Sequence, residues 1–134
     1  MLVKIVILNW NGAEHLRRFL PSVVTAAPDG MEIIVADNGS TDDSVAVLNA
    51  DFPSVRVIRL DANYGFAEGY NRALAQLKAD CIVLLNSDVE TPAGWLEPLI
   101  AALENDPGVA AVAPKLRALT APAKFEYAGA AGGY

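Results

Sequence analysis

A cluster of polar residues directly follows an apolar run in this sequence. The run Cys81 to Leu85 (CIVLL) ends at Asn86, Ser87 and Asp88, and Glu90 lies two residues further on. Hard oxygen ligands suit Mg²⁺ or Mn²⁺, which keeps several waters and takes only one or two protein carboxylates beside substrate phosphates. A polar turn before a helix accounts for Glu90, whose charge would favour the helix N-terminus. It does not account for Asp88, which the sequence therefore predicts as a metal ligand.

A second polar group follows the first apolar run. Val3 to Leu8 (VKIVIL) leads into Asn9 to Gly12 (NWNG), which offers two amides, an indole and a glycine. The amides can hydrogen-bond, the indole of Trp10 can stack on a flat ligand, and the glycine permits a tight turn. An Asx-turn that leads into a helix, with Trp10 buried, is the alternative interpretation.

An acid stands at the end of the next apolar run. Glu32 to Ala36 (EIIVA) is followed by the segment DNGSTDDS, which begins at Asp37. Its Asn-Gly pair is a strong turn signal, and Ser40 or Thr41 can cap the following helix without any further function. Asp37 has no capping role in this pattern, and a carboxylate or amide at this position can bond to the edge of a base.

Glycines follow the third apolar run. Val55 to Leu60 (VRVIRL) precedes DANYGFAEGYNRAL, in which Gly65 and Gly69 stand on either side of Phe66. Small residues at a junction between loop and helix let backbone N–H groups approach a phosphate. The glycines do not fit G-x-G-x-x-G and no Walker lysine is present, which disfavours a dinucleotide fold and a P-loop.

A parallel sheet would bring these polar groups together. The first, second and fourth apolar runs predict strands covered on both faces, whereas VRVIRL partly alternates and predicts a strand nearer an edge. Helical patterns separate and follow these runs: Glu14 to Ala26, Asp42 to Ala50, Ala67 to Leu77 and Pro92 to Asn105. Alternating strands and helices predict an α/β domain, a mostly parallel sheet with helices on both faces. Ligands bind such sheets at the carboxyl ends of the strands, so the four polar groups predict one pocket.

Some local features of these elements are less regular. Pro21 predicts a kink, a break or two shorter pieces in the first helix. Thr91 is the predicted N-cap of the last helix, with Pro92 at its first position. Val109 to Pro114 (VAAVAP) predicts a further strand. The residues after it lose periodicity and end rich in glycine, from which we expect a C-terminally truncated fold.

Size and charge exclude several classes of protein. A chain of 134 residues is the size of one domain, and a formal net charge of −6 with scattered lysines and arginines disfavours nucleic-acid binding. Cys81 is the only cysteine, so no internal disulfide can form, which favours a reducing compartment. The apolar N-terminal run is too short for a signal sequence or a membrane span. The sequence therefore predicts a cytoplasmic chain.

Taken in order, four motifs resemble the inverting glycosyltransferases of family 2, which have the nucleotide-sugar-binding GT-A fold. The motifs are VKIVILNWNG, IIVADNGSTDDS, NYGFAEGYNRAL and LLNSDVETPAGWLEPL, and the resemblance covers roughly residues 3 to 117. It implies that Trp10 stacks on the nucleotide base with Asn9 and Asn11 beside it. It also implies that Asp37 and Asn38 bind the base, the second member of this usually acidic pair being an amide here.

The resemblance also implies which residues contact the ribose, the diphosphate and the cation. It implies that the segment Asn63 to Asn71, including Gly65 and Phe66, lines the ribose and diphosphate. Asn86-Ser87-Asp88 matches the D-x-D metal motif with its first acid replaced. Asp88 is then the ligand of Mg²⁺ or Mn²⁺, and Asn86 is a neutral contact to the ribose or diphosphate. Such variants resemble the rhamnosyl-type branch, which suggests a dTDP-linked donor, with a UDP-linked donor as the alternative.

The implied reaction is a direct displacement in polysaccharide biosynthesis. An acceptor hydroxyl on a glycan or a lipid-linked carrier, deprotonated by a carboxylate, attacks the anomeric carbon with inversion, and the bond from that carbon to the nucleoside diphosphate breaks as the diphosphate leaves. In this family the base and most of the acceptor site follow the matched motifs, so the catalytic residue is unknown and residues 1–134 are expected to be the donor-binding part alone. The full-length enzyme is expected at a membrane. A non-catalytic nucleotide-binding fragment, a self-associating homo-oligomer and a nucleotidyltransferase are the alternatives.

Overall fold

Four strands form one parallel sheet in the computed structural model, which describes residues 1–127. They are β1 (Val3–Asn9), β2 (Glu32–Asp37), β3 (Arg56–Arg59) and β4 (Cys81–Leu85). Their order across the sheet is β3-β2-β1-β4, and every neighbouring pair is parallel. The predicted α/β fold is confirmed, and β1 and β2 each extend one residue further than predicted, into Asn9 and Asp37.

Three helices connect these strands and cover both faces of the sheet. They are α1 (Ala13–Ala26), α2 (Ser44–Asp51) and α3 (Gly65–Leu74). One face packs on α3 through a buried cluster made of Val6, Ile34, Ile58 and Tyr70. The alternate strand residues Ile5, Ile7, Ile33 and Val35 are also buried and point the other way, since successive strand residues face opposite sides. Helices α1 and α2 pack on each other and carry further buried apolar residues.

Two details of these helices differ from prediction. A break or two shorter pieces at Pro21 is wrong, because α1 is continuous and buries an apolar stripe on both sides of the proline, which outweighs one lost backbone hydrogen bond, while a kink there stays a prediction. The cap of α2 is neither Ser40 nor Thr41, because the helix begins only at Ser44 with Asp43 in the N-cap position. The hydroxyl of Ser40 instead contacts the loop after β1.

A second compact unit begins at Pro92, after a first unit of Met1–Thr91. The prediction that residues 1–134 form a single domain stays a prediction. Helix α4 (Glu97–Asn105) starts later than predicted and has Leu96, not Thr91, in its N-cap position. Gly94, with φ of 74°, lies in the turn before this helix, and a left-handed residue cannot belong to it.

The residues after α4 also differ from prediction. The predicted strand Val109 to Pro114 is not a strand, since its backbone pairs with no other strand in the part of the chain that is described. An antiparallel hairpin follows instead, β5 (Leu116–Ala118) with β6 (Ala121–Tyr127), whose register shifts at two places. The glycine-rich end, residues 128–134, lies outside the described residues. None of the helices within residues 1–127 is long and apolar enough to cross a membrane.

Candidate functional site

The polar groups after β1, β2 and β4 lie at one edge of the sheet. Asn9 is paired in register with Asp37, and Ile7 with Leu85, the residue before Asn86. Neighbouring strands are about 4.8 Å apart, so the ends of these strands are adjacent. The chain leaves β1 towards β2 on one side, while β4 lies on the other side of β1. The gap between β1 and β4 is therefore the switch point at which parallel sheets of this kind bind ligands.

A buried pair of side chains joins the ends of β1 and β2. Asn9 is 1% exposed and Asp37 is 2% exposed, and Nδ2 of Asn9 donates to Oδ1 of Asp37 at 3.1 Å. The other carboxylate oxygen of Asp37 accepts from the backbone N–H of Ser40 at 3.0 Å. The expectation that Asp37 has no capping role was therefore wrong, because this bond closes the turn after β2.

Asn11 ties the loop after β1 to the loop after β2. Its Oδ1 accepts from the backbone N–H groups of Thr41 and Asp42, at 2.8 Å and 3.2 Å. Its own N–H donates to the hydroxyl of Ser40 at 2.9 Å. Asn11 has a left-handed φ of 48°, which asparagine tolerates better than most residues. Trp10 lies between two anchored residues and is 55% exposed, so its indole is not the buried side chain of the alternative interpretation.

Asn38 ties the loop after β2 to the start of α3. Its Nδ2 donates to Oδ1 of Asn63 at 3.1 Å and to the Gly65 carbonyl at 2.9 Å, and its Oδ1 accepts from the N–H of Tyr64 at 3.0 Å. The amide is almost fully buried. A Cβ on Gly69 would lie 2.8 Å from Nδ2 of Asn38, so glycine at this position leaves room for the amide. Both amide protons of Asn38 are thus used inside the protein.

The start of α3 presents both apolar and polar groups. Gly65 has a φ of 75°, and its N–H is held by Oδ1 of Asn63 at 2.9 Å. Phe66 is 68% exposed and packs edge-on against Tyr70, with the ring centroids 5.1 Å apart. Asn71 is exposed on the same helix, and its side chain has no hydrogen bond within residues 1–127.

A cluster of charged and aromatic side chains lies beside the start of α3. The hydroxyl of Tyr64 donates to Asp61, which lowers the pKa of the Asp61 carboxyl and raises the pKa of Tyr64. The guanidinium of Arg72 lies 3.8 Å from the centre of the Tyr64 ring and bonds to Glu68 at 2.8 Å. Contacts among its own exposed side chains therefore hold the segment Asp61 to Arg72 in place.

The turn after β4 is more open. Asn86 and Asp88 are exposed and Ser87 is half-buried, and none of the three side chains has a hydrogen bond to another described residue. Within residues 1–127, no group of three or more His, Cys, Asp or Glu could hold a metal ion. The turn is fixed where it ends, because the N–H of Thr91 donates to the hydroxyl of Ser22 in α1 at 3.1 Å.

Two residues that matter to this edge were missed by the sequence analysis. The carboxylate of Asp42 accepts from the N–H of Ala13 at 3.1 Å and of Ser44 at 2.9 Å, and so joins the starts of α1 and α2. For Tyr70 no role of its own was predicted within the segment Asn63 to Asn71, but its hydroxyl bonds to the ends of β1 and β4. A tyrosine among otherwise aliphatic core positions was the available signal, since a buried hydroxyl needs a partner.

Comparison with known proteins places this arrangement in a family. The sequence model of glycosyl transferase family 2 matches residues 4–122. An N-acetylglucosaminyl-diphospho-decaprenol L-rhamnosyltransferase of Mycobacterium tuberculosis is 29% identical over 127 residues, which cover 87% of this chain and 41% of that relative. A pre-mycofactocin glycosyltransferase of the same organism is 35% identical over 121 residues, which cover 87% of this chain and 24% of the relative.

The fold has solved counterparts as well. The crystal structure of S. aureus TarS 1–349 in complex with UDP-GlcNAc aligns with a TM-score of 0.68 at 21% identity, over 78% of this chain and 32% of that one. The chain thus spans less than half the length of each of these proteins. The match over residues 4–122, together with the GT-A arrangement of the sheet, shows that the chain belongs to glycosyl transferase family 2.

Proposed function

We propose that this chain is the donor-binding part of an enzyme that transfers a sugar from a nucleoside diphosphate to an acceptor hydroxyl. One observation carries the proposal: a hydrogen-bonded network, buried at Asn9, Asp37 and Asn38, ties together the loops after β1, β2 and β3 at the carboxyl edge of the sheet. Trp10, Phe66 and Asp88 are left exposed. Exposed aromatic rings are costly in water unless they meet a partner, and a nucleotide offers flat and charged surfaces in one molecule.

The base is proposed to lie against Trp10. The side chains of Asn9, Asp37 and Asn38 are nearly fully buried, and most of their hydrogen-bonding groups are engaged inside the protein. Their main role in the proposal is to hold the base-binding loops in place. A base N–H would be accepted by the remaining lone pairs of Asp37 and Asn38, or by Oδ1 of Asn9, which is buried and has no hydrogen-bond partner among the described residues.

The ribose and diphosphate are proposed to lie between the start of α3 and the turn after β4. The Gly65 N–H is held by Asn63, but the N–H groups that follow it in the first turn, beginning with Phe66, have no partner within the helix. They carry partial positive charge, which favours a phosphate beside Phe66. Asn63 shapes this loop through its bonds to Gly65 and Asn38. Asn71, which is exposed on α3, is a candidate contact to the ribose or phosphates.

The turn Asn86-Ser87-Asp88 fits a divalent cation shared with a diphosphate. The Asp88 carboxylate is exposed and forms no hydrogen bond with the described residues, so its oxygens can serve as ligands. One protein carboxylate suffices for Mg²⁺ or Mn²⁺ when phosphates and waters complete the shell. Such an ion would neutralise the charge of the departing diphosphate. Asn86 and Ser87 would orient the diphosphate by hydrogen bonds from the amide and hydroxyl.

The names of two similar proteins indicate which classes of donor and acceptor to propose. One relative is named for a rhamnosyl donor and a diphospho-decaprenol acceptor, and TarS was crystallised with UDP-GlcNAc. We therefore propose a UDP- or dTDP-linked sugar as the donor and a glycan or a lipid-linked carrier as the acceptor. The transfer is proposed to invert the anomeric carbon in one displacement, with a carboxylate base supplied by residues beyond the matched segment. A cytoplasmic location, with the full-length enzyme at a membrane, remains a prediction.

Calorimetric titration with UDP and dTDP, each in Mn²⁺ and in chelator, tests this proposal. We expect the nucleotide to bind more tightly in Mn²⁺ than in chelator, and we expect Asp88→Ala to remove this gain in affinity. Glu90→Ala removes a nearby exposed carboxylate and is the matched control, which should retain the gain. Equal affinity with and without Mn²⁺ in the unmodified chain would contradict the metal assignment, and no affinity for either nucleotide would contradict the donor-binding role.

Self-association is a second candidate property. Leu84 is 55% exposed on β4, which is the last strand at its side of the sheet. An exposed apolar edge strand favours pairing with another chain. Light scattering after size exclusion tests this, and a strictly monomeric species across the concentrations used would argue against it.

A further inference from the structure

The hydroxyl of Tyr70 lies between the ends of β1 and β4. It accepts from the N–H of Leu8 at 3.4 Å and donates to the carbonyl of Leu85 at 3.2 Å. Tyr70 is 4% exposed, and burial raises the pKa of its hydroxyl, which keeps the proton needed for donation to Leu85. No other side chain in the described residues bonds to the backbone of both strands.

These two backbone groups belong to the last pair of the ladder between β1 and β4. The N–H of Cys81 donates to Leu2 at the first end of this ladder, and Ile7 is in register with Leu85 at the other end. In a parallel ladder the bonds to one neighbour recur at every second residue, so the pair of Ile7 and Leu85 brings the Leu8 N–H and the Leu85 carbonyl together. The Tyr70 hydroxyl bonds to both of these groups. It therefore holds the ends of β1 and β4 to each other one residue before Asn9 and Asn86.

The turn Asn86 to Glu90 is consequently held by side chains at both ends. Tyr70 bonds to the carbonyl of Leu85 at the start of the turn, and Ser22 bonds to the N–H of Thr91 after its end. The residues between these two anchors are exposed or half-buried. Two side-chain hydroxyls thus determine where the Asp88 segment leaves the protein core.

We propose that Tyr70 is a positioning residue that holds the carboxyl ends of β1 and β4 and so places Asp88 for the cation and diphosphate. This inference rests on the proposed donor-binding function. Phe66 packs edge-on against the Tyr70 ring, so one aromatic side chain supports both the loop at the start of α3 and the turn after β4. Ser22 has the same role at the other end of the turn.

Tyr70→Phe tests the role of the hydroxyl, because it keeps the ring that packs on Phe66. UDP and dTDP are titrated in Mn²⁺ and in chelator. We expect the affinity in Mn²⁺ to fall by about 3- to 10-fold, the loss of one hydrogen bond, while the affinity in chelator stays within about twofold. Ser22→Ala should lower the affinity in Mn²⁺ in the same way. Tyr127→Phe removes the hydroxyl of an exposed tyrosine in the second unit that has no hydrogen bond to the described residues, and it should change neither value.

The outcomes separate this inference from the proposed function. If the unmodified chain binds equally with and without Mn²⁺, or binds neither nucleotide, the proposed function fails and the inference fails with it. If the unmodified chain binds in a metal-dependent manner but Tyr70→Phe matches it, or loses affinity equally in Mn²⁺ and chelator, only the inference is overturned. If Tyr70→Phe does not fold, the affinity of Ser22→Ala tests the inference. Unchanged affinity of Ser22→Ala in Mn²⁺ overturns the inference, and a loss of affinity in Mn²⁺ without a loss in chelator supports it.

Discussion

The side chain of Asn38 holds the backbone of Tyr64, with Oδ1 accepting the Tyr64 N–H at 3.0 Å. The same amide donates to Oδ1 of Asn63 and to the carbonyl of Gly65. One buried side chain therefore fixes three consecutive residues at the start of α3. This arrangement needs a donor and an acceptor on the same group, and an amide supplies both.

Asn38→Asp should destabilise the protein for this reason. A carboxylate would set negative charge against the oxygens of Asn63 and Gly65 and would remove the donor that Asn38 gives to each of them. We expect a loss of about 2 to 3 kcal/mol in the free energy of unfolding at pH 7, measured by urea denaturation. The pKa of the new acid should be raised in the folded state, so the loss should shrink as the pH falls through that value.

Asn49→Asp is the matched control for this substitution. Asn49 is exposed on α2, so its replacement should change the free energy of unfolding by less than about 0.5 kcal/mol. Equal losses in the two variants would show that the buried amide of Asn38 has no special role.

A second prediction concerns the close approach of Gly39 to Ala62. Gly39 has a φ of 73°, and a Cβ on it would lie 2.6 Å from the carbonyl carbon of Ala62. Gly30 has a similar φ of 78° but open space around it. Gly30→Ala should therefore lower the free energy of unfolding by only about 1 to 2 kcal/mol, because alanine disfavours the left-handed backbone conformation. Gly39→Ala adds a clash with backbone, so its melting temperature should fall distinctly further, and equal shifts would contradict this explanation.

A third prediction concerns pH and Asp42, which joins the starts of α1 and α2. Partial burial is the largest influence and raises the pKa of this carboxyl, but hydrogen bonds from Ser44 and the Ala13 N–H together lower it below its ordinary 3.8. The stabilisation is thus present above about pH 4 and is lost as the pH falls through the folded-state pKa. Asp42→Asn should lose about 1 kcal/mol at pH 7, as for a removed helix cap, and less at pH 3.

Urea denaturation at pH 7 and at pH 3 measures this difference. Asp29→Asn replaces an exposed acid that has no hydrogen bond within the described chain and provides the control. If Asp42→Asn shows the same loss at both pH values, the stabilisation does not come from the ionised carboxylate.

The sheet could be predicted from the sequence because its signals are local and strong. Continuous β-branched runs such as Val3 to Leu8 indicate strands buried on both faces, and the polar residue after each run marks the carboxyl edge. The edge position of the candidate site followed from topology alone. The hydrogen bonds that hold the site could not be predicted in this way, because the partners of Asn11, Asp37 and Asn38 are distant in sequence.

The errors came from features that depend on tertiary contacts. Thr91 has the residue type of a helix cap, but its N–H is bonded to Ser22 and the helix begins later. The hairpin after Pro114 was missed because two register shifts disturb the alternation that identifies strands. Tyr70 fits helical periodicity as a core residue, and no pattern of spacing indicates where its hydroxyl bonds.

The last prediction concerns Trp10, whose indole is 55% exposed while Asn9 and Asn11 on either side are anchored. Stacking of a base on an aromatic ring contributes about 1 to 3 kcal/mol, so Trp10→Ala should weaken UDP or dTDP binding by about 5- to 150-fold. The free energy of unfolding should fall by only about 1 to 2 kcal/mol, because roughly half of the side chain is exposed, so the variant should remain folded in the titration. Trp10→Phe keeps a stacking surface and should retain most of the affinity. If calorimetry finds that Trp10→Ala binds as tightly as the unmodified chain, the base lies elsewhere.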